Sequence, residues 1–245
     1  MARFFLPSRQ IHDNRGTIDG QELEHLRKVL RLKPGDRITV FDDTGWEHEA
    51  VILSLSGAQG EIEIVRSYVV HRESPLHLTL ALGLTKGQKF DFVVAKATEL
   101  GVQRIIPFAS TYAVPKLDER KIAARTERWR KIALSATKQC GRTQAPAVLP
   151  LCGFTELLAQ APPALKLFFW EKEIARSLRQ MRDEYPDAKS IMLMIGPEGG
   201  FSVEEAESAR AHGWESVRLG RRILRAETAA ITALSLVQFL WGDLA

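Results

Sequence analysis

Residues 190–207 read SIMLMIGPEGGFSVEEAE, and the fold class turns on how this stretch is parsed. Ile191 to Ile195 form an unbroken apolar run of strand length, as expected of a strand covered on both faces. Gly196, Pro197, Glu198, Gly199 and Gly200 then make a turn. Ser202, with Glu205 three residues later, has the spacing of a capping box and opens a helix. Strand, tight turn and helix in succession is the α/β unit, and open α/β sheets bind small molecules at the carboxyl edge of their strands. Glycines at that edge let bare backbone approach a ligand. A phosphate loop would place Lys and Ser or Thr after the last glycine, where Phe201 and Ser202 stand, and the dinucleotide fingerprint is absent. A plain tight turn remains open. Glu198 is the wrong charge to welcome a phosphate and suits a neutral or cationic ligand.

A second junction repeats the geometry at residues 216–229, SVRLGRRILRAETA: strand, Gly220, loop, helix. Two such loops from neighbouring strands can hold a flat apolar group between backbone amides and carbonyls, with Ile223 and Leu224 as walls. The loop also carries Arg218, Arg221, Arg222 and Arg225 at the mouth of a helix, where the dipole already repels cations. A solvated basic face is the ordinary explanation of such a run; a polyanionic partner is the alternative.

Outward from these junctions, the apolar runs LHLTLALG, RIIPF and LKLFFW alternate with helical stretches KFDFVVAKATELG, 116–138, SVEEAESARAHG and ETAAITALSLVQFLW. That alternation predicts a parallel sheet with helices on both faces. Before Val70 the period is two. DRITVFD, HEAVILSLSG and GEIEIV are separated by KPGD, DDTG and SGAQG turns, which predicts a small β-barrel with one short helix, GQELEHLRKVL. The expected organisation is residues 1–70 as the barrel, 71–75 (HRESP) as linker and 76–245 as the α/β domain.

The 245 residues carry a net charge of +4. From Lys116 to Arg142 there are nine Lys or Arg against three acids, a local balance of +6 that would attract a nucleic-acid backbone. No apolar run approaches the ~20 residues of a membrane span. Two cysteines, Cys140 and Cys152, form no zinc or disulfide pattern, and the histidines lack metal spacing. The expectation is a cytoplasmic protein with no metal and no membrane anchor.

GLTKGQKFDFVVAKATELGVQRIIPF, KQCGR, IGPEGGFS and LGRRILRAETA, in this order behind LPSRQ and HLRKVLRLKPGD, resemble the RsmE family. Its members are small-subunit (16S) ribosomal RNA uridine-N3 methyltransferases of the SPOUT class. The resemblance covers nearly the whole chain. It implies a SPOUT-type, trefoil-knotted parallel-sheet methyltransferase domain behind a PUA-like β-barrel, S-adenosylmethionine as cofactor, RNA within the small ribosomal subunit as partner, and a homodimer. By analogy the cofactor is cradled by Met194, Ile195, Gly196, Pro197, Glu198, Gly199, Gly200, Leu219, Gly220, Ile223 and Leu224. Glu171, just past the strand LKLFFW, either lines the same pocket or is a surface residue, and Thr228 either only starts the last helix or also contacts the cofactor through its hydroxyl.

Uridine N3 is a poor nucleophile until its proton leaves, so the site must remove that proton or stabilise the resulting anion. Arginine suits the second task, because its fork donates to planar oxygens and stays charged. Arg225 and Arg142 are the candidates. Arg225 has the rival reading of a brace paired with Glu198 or Glu227. Glu198 either accepts a proton or caps the adjoining helix. Lys86, Lys89, Arg125, Lys138, Arg221 and Arg222 are the candidate RNA contacts, with solvation as the alternative. Trp129 either stacks on a base or is buried. The rivals to N3 chemistry are methylation of another RNA position, such as a ribose 2′-hydroxyl, and RNA binding without catalysis.

Overall fold

In a computed structural model residues 2–112, 119–160 and 164–244 are described. The chain divides into two units, Met1–Glu73 with Thr137–Ala145, and Ser74–Ala136 with Pro146–Ala245. The partition is therefore not linear: a segment from the middle of the sequence folds with the N-terminal unit.

The first unit contains β1 (Arg3–Phe5), β2 (Ile11–His12), β3 (Arg15–Asp19), α1 (Gly20–Glu24), β4 (Arg37–Phe41), β5 (Trp46–Ser56) and β6 (Gln59–Val69). They form one six-stranded sheet in the order β1-β4-β5-β6-β3-β2. The period-two pattern has its expected cause: Ile62 and Ile64 of β6 are buried while Glu61 and Glu63 face outward. Ile18, Ile38, Val40 and Ile52 join them beneath Leu23 and Leu26. The helix expected at residues 20–30 is shorter than its pattern, because α1 passes at His25 into a π-helical turn ending at Val29.

The second unit runs β7 (His77–Gly83), α2 (Lys89–Glu99), β8 (Arg104–Ala109), α3 (Glu119–Cys140), β9 (Ala147–Val148), β10 (Cys152–Gly153), α4 (Phe154–Gln160), β11 (Leu165–Phe169), α5 (Leu178–Glu184), β12 (Ser190–Ile195), α6 (Val203–Ala211), β13 (Glu215–Val217) and α7 (Ala226–Trp241). The last turn of α3 falls in the first unit. The strands make a parallel sheet ordered β10-β8-β7-β12-β11-β13, with β9 beside β8. Its centre joins distant segments, with His77 in register with Ser190 and Leu82 with Ile195. The unbroken apolar run of β12 is explained by its two covered faces. Ile191, Leu193 and Ile195 enter the core shared with α2 and α7, while Met192 and Met194 enter a second core with Phe201, Ala206 and Trp214. Residues 116–118 of the basic stretch lie outside the described residues.

One feature of the order differs from the expectation. Strands β12 and β13, which carry the two glycine junctions, are not neighbours: β11 lies between them. Local periodicity identifies strands and does not fix their lateral order. The loop after β11 is thereby drawn in between the two junctions.

Candidate cofactor pocket

At the carboxyl edge of β11, β12 and β13 the chain encloses a cavity of about 730 Å³, within the ~300–1,000 Å³ range of small-molecule sites. The turn after β12 forms one side and residues 218–225 the other, with Phe169, Trp170 and Glu171 from the end of β11 between them. Each wall is held from behind. The turn closes through the Gly200 N–H donating to the Pro197 carbonyl at 3.0 Å. It runs into the predicted capping box: Glu205 N–H donates to Ser202 Oγ at 3.1 Å, and Ser202 N–H to Glu205 Oε2 at 3.0 Å. The second Glu205 oxygen accepts from the Thr111 N–H at 2.8 Å. Phe201 anchors the turn below, packed on Phe168 at 4.6 Å between ring centres. On the other side the Arg218 N–H donates to the Arg176 carbonyl at 3.0 Å.

The glycines are used for proximity. Gly200 has φ +68°, and a methyl group there would sit 2.9 Å from Glu171 Oε1. Gly83, at the end of β7, lies against the turn so closely that an added Cβ would be 2.6 Å from both N and Cδ of Pro197. Gly83 escaped the sequence reading; its available signal was a glycine at the carboxyl end of a buried strand.

Of the thirteen residues expected to hold the cofactor, all but Met194 and Thr228 line the cavity. The Met194 side chain is fully buried in the core below, because strand alternation points it away from the partners of Ile195. Thr228 is exposed on α7. Phe169, Trp170 and Phe201 line the cavity without having been expected to, and Arg218 of the arginine cluster joins them. Ile195, Leu219, Leu224, Ala226 and Ala229 supply apolar wall, and Trp170 is buried with no hydrogen-bond partner for its indole N–H among the described residues. Glu198 and Glu171 face this lining with Lys89 and four arginines. Apolar wall, exposed main chain and groups of both charges fit a ligand that is flat at one end and zwitterionic at the other.

Glu198 is not free. Its Oε1 accepts from Lys89 Nζ at 3.0 Å and from the Lys86 N–H at 3.1 Å. Burial pushes its carboxyl pKa up, but the Lys89 hydrogen bond, two backbone N–H groups and the Lys89 charge outweigh it and leave the pKa below the ordinary value. A carboxylate so held is a weak proton acceptor at neutral pH. Arg225 pairs with neither Glu198 nor Glu227. It is the N-cap of α7 without a side-chain capping bond. Among the described residues, the side chains of Arg218, Arg221, Arg222 and Arg225 have no ion-pair or hydrogen-bond partner, although all four line the cavity.

The remaining candidates are placed elsewhere. Arg142 belongs to the first unit and is 4% exposed, its Nε donating to Glu73 Oε2 at 2.8 Å. Glu73 Oε1 also accepts from the N–H groups of Thr143 and Gln144, at 3.1 and 3.2 Å. Arg3 donates to the carbonyls of Thr137 and Arg142, and Arg72 to that of Gly141 at 2.9 Å. KQCGR is thus a clasp, in which guanidinium groups satisfy carbonyls at the negative end of α3. Lys138 is neutralised by Glu22 at 2.7 Å. Arg125 is exposed on α3. Trp129 is buried, stacked on Phe90 with ring centres 4.0 Å apart and donating to Asp91 at 3.0 Å. Among the described residues no group of three or more His, Cys, Asp or Glu could hold a metal ion, and no helix is long and apolar enough to cross a membrane.

This parallel sheet with a main-chain pocket at its rim is a SPOUT-type RNA methyltransferase domain preceded by a PUA-like unit. Residues 72–238 match the family model described as an RNA methyltransferase domain, and residues 18–65 match an RNA methyltransferase PUA domain. The chain belongs to the ribosomal RNA small subunit methyltransferase E family. It is 32% identical to that enzyme of Bacillus subtilis, over 98% of this chain and 96% of the relative. The ribosomal RNA small subunit methyltransferase E structure from Neisseria gonorrhoeae, bound to S-adenosyl methionine, is 36% identical with a TM-score of 0.88 and covers 100% of both chains. A Legionella pneumophila methyltransferase solved with bound SAM is 34% identical with a TM-score of 0.91, covering 99% of this chain and 98% of that one.

Proposed function

We propose that this protein transfers the methyl group of S-adenosylmethionine to N3 of a uridine in small-subunit (16S) ribosomal RNA. The observation that carries the reading is the set of four guanidinium groups, without an ion-pair or hydrogen-bond partner among the described residues, around a pocket whose remaining lining is apolar wall, main chain, Lys89, Glu171 and Glu198. Cations left without protein partners at the positive end of a helix are unfavourable until an anion arrives. Ribosomal RNA supplies that anion as phosphate, and a deprotonated uracil supplies it as O2 and O4. The bound cofactor supplies an electrophilic methyl group already activated by its sulfonium, so the chain's task is alignment. The turn 196–200 and residues 219–224 hold the cofactor by backbone and apolar contact, with Glu171 beside Gly200.

Arg225 serves the target base. Its fork donates to the oxygens that gain charge when the N3 proton passes to solvent water, which lowers the cost of that loss. Glu198, held ionised by Lys89, orients the turn and is not the proton acceptor. Arg221 and Arg222, exposed at the lip, meet phosphates. The exposed apolar residues Leu236 and Phe239 of α7 and Phe92 of the adjoining α2 support a homodimer. Cys140 and Cys152 are free thiols, in keeping with a reducing, cytoplasmic setting.

The test is labelled methyl transfer to 16S RNA and partly assembled small subunits, followed by reverse transcription. N3 methylation blocks the Watson–Crick edge and stops the polymerase. Passage through the labelled nucleotide at ample nucleotide concentration would indicate the 2′-hydroxyl instead and overturn the N3 assignment. Arg225→Ala should lower kcat about 10²- to 10³-fold, as loss of one anion-stabilising donor does, with cofactor affinity retained.

A further inference from the structure

The sequence offers Lys89 as an RNA contact, and the structure turns it inward. Lys89 is the first residue of α2, where a cation opposes the helix dipole. Helix stability therefore does not explain its presence. Its ammonium lies 3.0 Å from Glu198 Oε1 and 4.0 Å from Glu227 Oε2. Glu198 stands in the turn after β12; Glu227 stands in the first turn of α7, immediately behind residues 218–225. These are the two opposing walls of the pocket. Glu227 Oε2 is buried and accepts no hydrogen bond among the described residues. Among the described residues no other cation comes within 4.0 Å of either carboxylate.

We infer that Lys89 is a positioning residue that ties the two walls of the methyl-donor pocket together through Glu198 and Glu227, and that it does not contact RNA. The inference rests on the cofactor reading of the pocket. Without the ammonium two neighbouring carboxylates, one with a buried oxygen, repel one another and the walls part. The donor is then held loosely because the walls that carry its main-chain and apolar contacts have moved.

Calorimetry with S-adenosylmethionine on the full chain tests this, using Lys89→Met, Lys89→Arg, Glu198→Gln and the Lys89→Met/Glu198→Gln double variant. Thermal midpoints establish that each variant is folded. Loss of one charge-assisted hydrogen bond corresponds to about 10- to 100-fold weaker donor binding in Lys89→Met. Lys89→Arg should recover most of that loss. The double variant should bind no worse than Lys89→Met, because the lysine acts through the glutamate and the effects do not add. The salt dependence of 16S RNA binding should match wild type, whereas a phosphate contact would lower its slope by about one. Wild-type donor affinity in Lys89→Met, additive losses in the double variant, or a reduced salt slope would each overturn the inference. Wild-type protein that binds no donor would instead remove the cofactor reading itself. If Lys89→Met does not fold, Lys89→Arg and Glu198→Gln decide: donor binding weakened by Glu198→Gln and retained by Lys89→Arg supports the strut, and the reverse pattern refutes it.

Discussion

Gly83 offers a sharp test of how the pocket is built, because it touches the cofactor turn from behind and lies outside the cavity lining. In Gly83→Ala the new methyl carbon would lie 2.6 Å from the backbone nitrogen and Cδ of Pro197 and 3.0 Å from the carbonyl carbon of Gly196. Favourable carbon contacts begin near ~3.5 Å, so the turn must recede by about 1 Å. The obstacle is main chain and a proline ring, which cannot rotate aside. Overpacking of this kind costs about 1–3 kcal/mol, and at ~2–4 °C per kcal/mol for a chain of this size the thermal midpoint should fall by roughly 2–12 °C. The effect on turnover should be larger in proportion, since a displacement of ~1 Å in a positioning element costs about 10²-fold in rate. The assay is labelled methyl transfer at saturating RNA, with donor affinity measured alongside. Gly153→Ala is the control: an added Cβ there meets nothing within 4 Å, and stability should stay within ~0.5 kcal/mol. A Gly83→Ala protein with wild-type kcat and donor affinity would refute the claim that the turn is held in place by close backbone packing.

Other outcomes follow from the same geometry. Arg142→Ala should destabilise the protein by about 2–4 kcal/mol in urea titration, below the upper figures for breaking a buried pair because Glu73 keeps two backbone donors; donor affinity of the folded fraction should not change. The Glu198 carboxyl is held below its ordinary pKa, so its stabilising contribution is full above the ordinary carboxylate value and is lost as pH falls through the folded-state value. Thermal midpoints recorded from pH 6 to pH 3 should therefore fall less steeply in Glu198→Gln than in wild type. Burial, helped by the Glu156 charge, pushes the Cys152 thiol from 9.0 up to about 11. Its alkylation at pH 8 should run about 10²-fold slower than that of a solvated thiol of the ordinary value, read by mass spectrometry of the labelled peptides.

The elements legible in the sequence were those whose pattern has a local cause. β12, α6 and the capping box between them follow from an apolar run, five turn residues and the Ser202–Glu205 spacing. What escaped notice depends on pairing across the sheet. That β11 separates β12 and β13 decides that Trp170 and Glu171 stand between the two junctions, and no period in either strand encodes it. Gly83 becomes important only because β7 lies beside β12. Arg142 shows the converse dependence on tertiary contacts. A cation in a glycine-containing motif reads as a reactive group, and only its burial against Glu73 shows the clasp.

The same distinction bears on the arginines before α7. Charge density alone did not separate a solvated face from a binding surface, since both place cations close together. Partnership does separate them. Arg3, Arg72, Arg142 and Lys138 are satisfied, once the chain has folded, by acids or carbonyls 44 to 116 residues away in sequence. Among the described residues Arg218, Arg221, Arg222 and Arg225 find no such group, while Lys89 at the pocket is engaged by Glu198 and Glu227. Lys89 engages Glu198 and Glu227, and neither acid pairs with Arg225. It follows that Lys89→Met should do more than loosen the donor: with Glu198 and Glu227 released, Arg225 gains protein partners, and the variant should lose kcat as well as donor affinity. Restoring kcat by adding Glu198→Gln and Glu227→Gln to Lys89→Met would show that competition for the arginine is the cause; kcat unchanged in Lys89→Met at saturating donor would show that the arginine never depended on it.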